Sequence, residues 1–424
     1  FRLSLAESIV PSQWNTACIT PVPKKPQPDA LSDYRPISLT PILSRVLEKI
    51  IVYKVFYPLL ATAEPMAALS DQYAFRPTGS TTAALTYILK DLSELSYSCS
   101  YVHIIALDFS KAFDTVRHHT LLSKLSSFHL QDNIHNWLLN YYSNRSHCTK
   151  IHGKLSSAVT INSSIIQGSS IGPVTYIYNA SDLKAKFPGN FLHKYADDTY
   201  LVVPAYNTHT IPAELEHISA WAAANNLFIN YLKSLEMIVT RPRIDRSFLP
   251  PPFPGIARVD SINILGVNIN HNLSMSDHIS KLESISGQTL YALKTLKAHG
   301  LPLSSVSDTC RATLISRLLY ASPAWRGFAT LTELQRLQNI INKAVRWGVC
   351  IKPDLLLSEL LDDADDNLFE KILNNSFHIL HPLLPPKKET TYNLRQRIHD
   401  RTLSVPANIS KKNFICRMLF KSCY

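Results

Sequence analysis

The chain has 424 residues, 46% of them hydrophobic and 18% charged, which excludes a disordered protein and predicts about two or three packed units. Its 43 lysines and arginines outnumber 32 aspartates and glutamates, and the resulting charge of +11 favours a polyanionic partner, with nucleic acid ahead of an acidic membrane. No apolar run is long enough for a membrane helix, and the chain begins with Phe1, so we expect a soluble intracellular protein that is a piece of a longer one.

In chain order, the first clear element is a helix. The segment GSTTAALTYILKDLSEL, from Gly79 to Leu95, opens with residues that cap helices and continues with an amphipathic pattern. The run YVHIIALDF, from Tyr101 to Phe109, is apolar and β-prone, and the residues behind it repeat at helical spacing. This order predicts a strand that delivers Asp108 to its C-terminal end, where a helix begins.

Two adjacent carboxylates separate the next pair of predicted strands. FLHKYA and TYLVV are β-prone runs divided only by Asp197 and Asp198, and Pro204 ends the second run. We therefore expect both acids at the tip of a β-hairpin. If the hairpin lies beside the strand that ends at Asp108, three carboxylates meet in a small volume and can hold divalent cations, which would relieve their mutual repulsion.

An Asp-Asp pair alone is a weak signal for a metal site, and the chain contains its own comparison. LDDADDNLFEKIL, from Leu361, repeats the Ala-Asp-Asp sequence at an expected helix start, where we predict that the acids cap the helix. Only the hairpin context separates Asp197 and Asp198 from this second set. On the residues alone, a metal site and a structural turn stay equally open for the hairpin.

The remaining sequence predicts a loop, a helical bundle and a basic tail. The Pro-rich segment from Phe248 to Gly255 is typical of a loop, and amphipathic segments between Ser274 and Trp347 predict a bundle of helices. From Lys387 onward, nine lysines and arginines face two acids. We expect this tail to bind single-stranded RNA by its charges and by stacking on three aromatic rings, with a solvated helix face as the alternative: Tyr392, Phe414 and Phe420.

Several segments together resemble a known family. YADDT (Tyr195 to Thr199), ALDFSKAFDTV (Ala106 to Val116) and IIQGSSIGP (Ile165 to Pro173) resemble the polymerase motifs of reverse transcriptases. The segment SKAFDTV resembles the corresponding segment of the reverse transcriptases of non-LTR, LINE-type retrotransposons, and jockey-like elements resemble it most. Segments before and after these motifs, such as WNTACITPVPKK and INILGVNIN, resemble the same enzymes, so the likeness covers nearly the whole chain.

The resemblance implies an α+β fold, the right-hand polymerase, with an antiparallel palm sheet flanked by helices. It implies fingers with part of the palm in 1–100, the palm in 101–270, a helical thumb in 271–350 and a basic C-terminal region in 351–424. The implied activity is RNA-directed DNA synthesis from dNTPs, with an RNA template, a DNA primer and two Mg²⁺ ions, or Mn²⁺. The family also implies action in the nucleus during target-primed synthesis, without a membrane partner.

The matched motifs also imply the catalytic residues. Lys233 would protonate the leaving pyrophosphate, unless it is an ordinary surface lysine. Phe113 would be the steric gate, a ring that clashes with a 2′-hydroxyl and so selects deoxynucleotides; without the motif it would be taken as core. Four residues would supply the metal ligands, three by carboxylates and one by its backbone carbonyl: Asp108, Asp197, Asp198 and Phe109.

The same comparison of motifs implies how the substrates bind. Arg35 and one of the lysines Lys24 and Lys25 would clamp the incoming triphosphate, while the other lysine lies in a solvated loop. The nucleotide would also contact the Gln-Gly pair of IIQGSSIGP, and the hairpin turn in ILGV would grip the primer end unless it is an ordinary buried strand. These last four positions are Gln167, Gly168, Leu265 and Gly266.

The chain departs from the family pattern at some positions. Ile166 stands where a proline usually precedes the Gln-Gly pair, and the segment after it is also unusual. Three functions therefore stay open on the sequence: an active retrotransposon reverse transcriptase, a decayed relic that only binds RNA, and a group II intron type reverse transcriptase or maturase. The third shares the YADD tip, but SKAFDTV does not favour it.

Overall fold

The structure of the protein is a computed structural model that describes residues 1–110, 112–241, 246–350, 355–388, 399–403 and 409–421. These residues form an α+β fold, as the sequence predicts. None of the described helices is long and apolar enough to cross a bilayer. The first hundred residues contain α1 (Arg2–Ala6), β1 (Thr16–Pro23), β2 (Tyr34–Leu39), α2 (Ile42–Ile51), α3 (Tyr57–Leu60), α4 (Ala63–Ala68) and α5 (Thr81–Ser98).

The middle of the chain mixes strands and helices. Its helices are α6 (Ala112–Thr115), α7 (His118–Leu125), α8 (Asp132–Tyr142), α9 (Gly172–Asn179) and α10 (Ile211–Ala224). Its strands are β3 (Tyr101–Leu107), β4 (Phe109–Ser110), β5 (Arg145–Ile151), β6 (Lys154–Leu155), β7 (Val159–Ile161), β8 (Phe191–Tyr195), β9 (Asp198–Pro204), β10 (Phe228–Ile229), β11 (Leu235–Thr240), β12 (Ala257–Arg258), β13 (Ser261–Ile264) and β14 (Val267–Asn270).

The C-terminal part is helical. Its helices are α11 (Ser276–Ala298), α12 (Leu303–Cys310), α13 (Ser316–Leu319), α14 (Ser322–Trp325), α15 (Leu331–Arg346), α16 (Leu357–Asn374) and α17 (Phe414–Phe420). The expected bundle is thus confirmed, and α11 to α15 are called the thumb helices below. The four domain boundaries given above stay predictions.

A central sheet with strand order β12-β11-β3-β9-β8 organises the core. Helix α5 packs on one face, together with the thumb helices, and α7, α9 and α10 pack on the other. Strands β3 and β9 are therefore apolar on both faces, which explains their unbroken hydrophobic runs. The side chains of the two faces alternate, with Val102, Ile104 and Val202 on the α5 side and Ile105, Leu107 and Leu201 on the other.

Two expected helices are interrupted. Behind Asp108 the sequence predicts one helix, but the structure has α6 and α7, because the carbonyl of Val116 accepts from the N–H of Ser164 and Arg117 bridges to Ser163. Between α13 and α14, Ala321 takes a positive φ of 52°, which ends the helix before Pro323. In each case a local backbone constraint overrides the amphipathic pattern.

The expected capping role of the second Ala-Asp-Asp is wrong. Its aspartates lie inside α16, and Asp365 is 1% exposed between two guanidinium groups. Arg417 lies 2.6 Å and Arg326 3.1 Å from the same Asp365 oxygen. Because α16 begins at Leu357, these acids do not lie at its N-terminal end. Asp365 instead links α16 to α17 and to Arg326, just after α14.

The expected stacking of the tail's aromatic rings on bases is wrong for the two rings that the structure describes, while RNA binding by the tail's charges stays a prediction. The ring of Phe414 is buried in a core with α16, and Phe420 packs against the same core, so neither can stack on a base. Lys387 pairs with Asp400, and Lys421 pairs with Asp366. Tyr392, Arg395 and Arg397 lie outside the described residues.

Asp365→Asn should destabilise the protein strongly. It leaves the largely buried Arg417 guanidinium without a carboxylate and Arg326 with Asp362, and breaking a buried ion pair typically costs about 3–5 kcal/mol. Asp366→Asn is the matched control: it removes a mostly exposed ion pair with Lys421 that typically contributes under about 1 kcal/mol. Urea unfolding measures the free energy of unfolding of both variants. Equal losses for the two variants would contradict the structural role proposed for Asp365.

Candidate active site

The backbone pairing of β3 with β9 brings the predicted acids together. Leu107 of β3 pairs with Thr199 of β9, and the two strands are antiparallel. Asp108, one residue after Leu107, therefore lies beside Asp198, one residue before Thr199. Tyr195 pairs with Asp198 across a two-residue loop that contains Asp197, with Ala196 at a positive φ of 57°. The predicted hairpin tip is thus confirmed, and the ladder sets all three carboxylates at one edge of the sheet.

The three acids interact electrostatically. Burial, and then the charge of Asp108, raises the pKa of Asp197. Removal from water, followed by the charges of Asp197 and Asp108, raises the pKa of Asp198 to about 6. A raised carboxyl pKa means that the fold destabilises the ionised form of the group. A cation placed between the acids would offset that destabilisation.

This donor set fits a hard divalent cation that shares its ligands with a substrate. Carboxylate oxygens are the ligands that Mg²⁺ prefers, and Mg²⁺ usually takes one or two of them together with substrate phosphates. Across the described ranges, no group of three or more His, Cys, Asp or Glu side chains is close enough to hold a metal ion by itself. The acids therefore form a partial ligand set, which phosphate oxygens can complete.

The hairpin tip is fixed by residues to which the sequence assigned no role. The Gln72 side chain is fully buried; its Oε1 accepts from the N–H of Ala196 at 3.0 Å, and its Nε2 donates to the Ala196 carbonyl at 3.4 Å. The buried Lys194 ammonium donates to the carbonyls of Ala180 and Leu183, both at 2.7 Å. These bonds leave the Asp197 backbone little freedom.

The proposed gate residue rests on a second aromatic ring. Phe113 is half-buried and stacks on Tyr176, with 4.4 Å between the ring centroids and 16° between the planes. Burial and the charges of Asp197 and Asp198 raise the pKa of Tyr176, which places its phenol near the acids. Tyr176 lies in VTYIYNASDL, from Val174 to Leu183, which is the unusual segment after the Gln-Gly motif, and sequence reasoning did not select it.

The Gln-Gly pair lies between the core around the acids and a second sheet, called the N-terminal sheet, with the strand order β2-β1-β5-β6. Gln167 donates its side-chain N–H to Asp114 at 2.7 Å, and its carbonyl accepts from the N–H of Ser38 on β2. Gly168 has a φ of 118°, and a Cβ there would lie 2.3 Å from the Ser38 carbonyl oxygen. Only glycine permits this close approach.

A buried glutamate holds the loop that follows the Gln-Gly pair. Glu48, on α2, accepts from the N–H of Ser170 at 2.7 Å and of Ile171 at 3.3 Å, just before α9 begins. A carboxylate at this position complements the N-terminal end of the helix. Glu48 thereby fixes the loop relative to the N-terminal sheet, a role that its helical sequence context does not reveal.

The structure separates the two candidate lysines. Lys25 lies 2.9 Å from Asp29 and 3.0 Å from Asp33, so its charge is neutralised locally. Lys24 lines a cavity of about 1060 Å³ between the N-terminal sheet and Asp114. Arg35 is exposed on β2, opposite Val22 of β1. Lys24 is therefore the better candidate of the two for binding a phosphate.

The turn with Lys233 lies against Asp108. Asn230 donates its N–H to the Asp108 carbonyl at 2.7 Å, and the Ser234 hydroxyl accepts from the Asp108 N–H at 3.3 Å. Lys233 is exposed on this turn. Phe109 is buried and pairs with Ile229. The arrangement places the turn that carries Lys233 beside the Asp108 backbone, and the role of Lys233 as proton donor stays a prediction.

The predicted primer-grip turn is a hairpin turn between β13 and β14. Leu265 and Gly266 form it with φ angles of 47° and 89°. The Tyr320 hydroxyl donates to the Leu265 carbonyl at 2.9 Å, and Tyr200 also hydrogen bonds with the Leu265 backbone. The turn is thus held between β9, which carries Asp198, and the thumb helices.

Comparison with known proteins identifies the family of this chain. A family model described as reverse transcriptase (RNA-dependent DNA polymerase) covers residues 22–269. The probable RNA-directed DNA polymerase from transposon X-element of Drosophila melanogaster is 26% identical over 387 residues, 84% of this chain and 41% of that protein. The RNA-directed DNA polymerase from mobile element jockey of Drosophila funebris is 24% identical over 334 residues, 76% of this chain and 36% of that protein.

The chain thus spans well under half the length of these two relatives. A solved structure of telomerase from Candida tropicalis with a TWJ fragment of telomeric RNA is 12% identical, with a TM-score of 0.49 over 88% of this chain and 65% of that chain. Because the family model matches more than half of the sequence, this chain belongs to the reverse transcriptase family. Its expected kinship with non-LTR, jockey-like enzymes and the right-hand polymerase fold are confirmed.

Proposed function

We propose that this reverse transcriptase extends a DNA primer on an RNA template, as part of a non-LTR retrotransposon protein that acts in the nucleus. The observation that carries the proposal is the pairing of Leu107 with Thr199, which sets Asp108 beside Asp198 at the hairpin tip. The family generally uses divalent metal ions. Here two Mg²⁺ ions are proposed, and when bound they would activate the primer hydroxyl and neutralise the leaving pyrophosphate.

The protein's own groups would hold those ions and the reactants in place. The proposed ligands are the carboxylates of Asp108, Asp197 and Asp198 and the carbonyl of Phe109. Gln72 and Lys194 keep the hairpin tip rigid, so the geometry is set before substrate binds. Such preorganisation lets the site act by positioning and electrostatics, without a covalent intermediate.

Phosphate binding would come from the N-terminal sheet. Lys24 supplies a point charge beside the cavity, Arg35 can bind phosphate in bidentate fashion, and Gln167 and Gly168 are proposed to contact the nucleotide from the loop that Ser38 holds against β2. Lys25 is left out of this role because two aspartates already neutralise it. Lys233 would donate a proton to the pyrophosphate as it leaves.

The first test is primer extension on RNA with dNTPs and Mg²⁺. Asp197→Ala should lower the rate about 10³-fold or more, because metal-held charge stabilisation is worth several kcal/mol. Asp366→Ala, in the other Ala-Asp-Asp, is the matched control and should leave the rate unchanged. If neither wild type nor Asp197→Ala extends the primer while both bind the hybrid, the relic function is correct instead.

Phe113→Val should weaken discrimination against ribonucleotides. The valine opens the space where a 2′-hydroxyl would overlap the ring, and relieving an overlap of this size is worth about 1–3 kcal/mol, or roughly tenfold or more in relative kcat/KM. Competing dNTP and rNTP incorporation measures the ratio, with the exposed Phe377→Val as control. An unchanged ratio would remove Phe113 from the gate role.

A further inference from the structure

Two of the thumb helices run parallel and end together. Near their starts, Ser276 of α11 donates to Glu333 of α15 at 2.6 Å, and further along both helices Arg336 pairs with Glu283. At their ends, residues of both helices surround Trp347. Because the two helices are parallel, both C-terminal ends, each with its partial negative charge, lie at the same tip.

Four exposed cations lie in the last turns of the two helices, beside the half-buried Trp347. The ammonium of Lys294 lies 4.9 Å and that of Lys343 4.6 Å from the ring centroid. Lys297 donates to the Trp347 carbonyl at 3.0 Å. We call this set the tip cluster, and it consists of Lys294, Lys297, Lys343 and Arg346 with Trp347.

Stabilisation of the helix ends does not account for all of this charge. Each helix C-terminus carries about half a negative charge, so the two ends offset only about one of the four positive charges. Within the part of the chain that the structure describes, none of the four cations forms an ion pair with a carboxylate, whereas Arg336 on the same helix is paired with Glu283. The indole also holds two ammonium groups close together despite their repulsion.

The tip lies outside the candidate active site. Lys281, further back on α11, lines a cavity with Gly266 of the proposed primer grip. From Lys281 to Lys297 the helix advances about 24 Å. Lys294 and Lys297 contact Trp347 at the end of α15, whereas the cavity beside Lys281 is lined by residues 312–317, which include the start of α13. A ligand of the tip cluster would therefore be nucleic acid that extends beyond the catalytic cleft.

We propose that the tip cluster binds the sugar–phosphate backbone of RNA outside the catalytic cleft. Closely spaced exposed cations suit a polyanion with regularly spaced phosphates, to which lysines act as point charges and Arg346 as a planar fork. The Trp347 ring already contacts two ammonium groups, so base stacking is not needed and the contact would be independent of sequence. This inference rests on the proposed function, since it presupposes an RNA template.

The test compares the variant Lys294→Ala/Lys343→Ala/Arg346→Ala with wild type. The control is Glu283→Gln/Arg336→Gln, which removes a neutralised pair from the same two helices and keeps the net charge. The probes are a long single-stranded RNA of mixed sequence and a short primer–template whose ends stay within the cleft. Binding is measured over a range of salt concentrations, and thermal unfolding checks that each variant is folded.

The triple variant should bind the long RNA roughly tenfold more weakly, and the slope of log K against log salt should shrink by about 2, since three phosphate contacts are lost. Extension of the short primer–template should stay unchanged, as should both measurements for the control. An unchanged slope and affinity for long RNA would overturn the inference, even while wild type still makes DNA.

Two further outcomes are decisive. If wild type makes no DNA on the short primer–template but the triple variant still loses long-RNA binding, the proposed function fails and the RNA contact stands. If the triple substitution instead abolishes binding to vesicles with acidic phospholipid and leaves RNA binding intact, the tip cluster is a membrane contact and the inference is wrong.

Discussion

The active site depends on one constraint: the hydrogen-bonded pairing of β3 with β9 holds mutually repelling carboxylates at one edge of the sheet. Both strands are buried on both faces, so the ladder cannot shift its register without exposing the core. The fold thereby forces Asp108 next to Asp198 against their repulsion. Gln72 and Lys194 then fix the turn that carries Asp197. A cation shared by these acids would neutralise their mutual repulsion and would be bound by them.

Much of this arrangement was predictable because local pattern and tertiary packing agree. The apolar run before Asp108, the interruption at Asp197 and Asp198, and the motifs between them predicted the strand, the hairpin and their role. The residues that sequence reasoning did not identify are those whose roles depend on partners far along the chain. Gln72 bonds a turn more than a hundred residues away, and Tyr176 matters through its stacking with Phe113.

The two errors have a common physical cause. Local sequence alone assigned the acids of the second Ala-Asp-Asp to a helix cap and the aromatic rings of the tail to RNA. The fold instead pairs Asp365 with Arg326 and Arg417 and buries Phe414. Local sequence shows how much charge a segment carries, but only packing shows which charges are neutralised. By that criterion the ends of α11 and α15 present exposed positive charge that no carboxylate neutralises within the described part of the chain: Lys294, Lys297, Lys343 and Arg346.

The central claim is that Asp108, Asp197 and Asp198 form one divalent-metal locus. Its most direct test is a crystal structure of the protein with an RNA–DNA primer–template and a non-hydrolysable dNTP analogue, soaked in Mn²⁺ for its anomalous signal. The account predicts manganese peaks about 2.1 Å from carboxylate oxygens of Asp108 and Asp197, shared with the triphosphate. A nucleotide bound in the cleft with no manganese peak at these acids would contradict it.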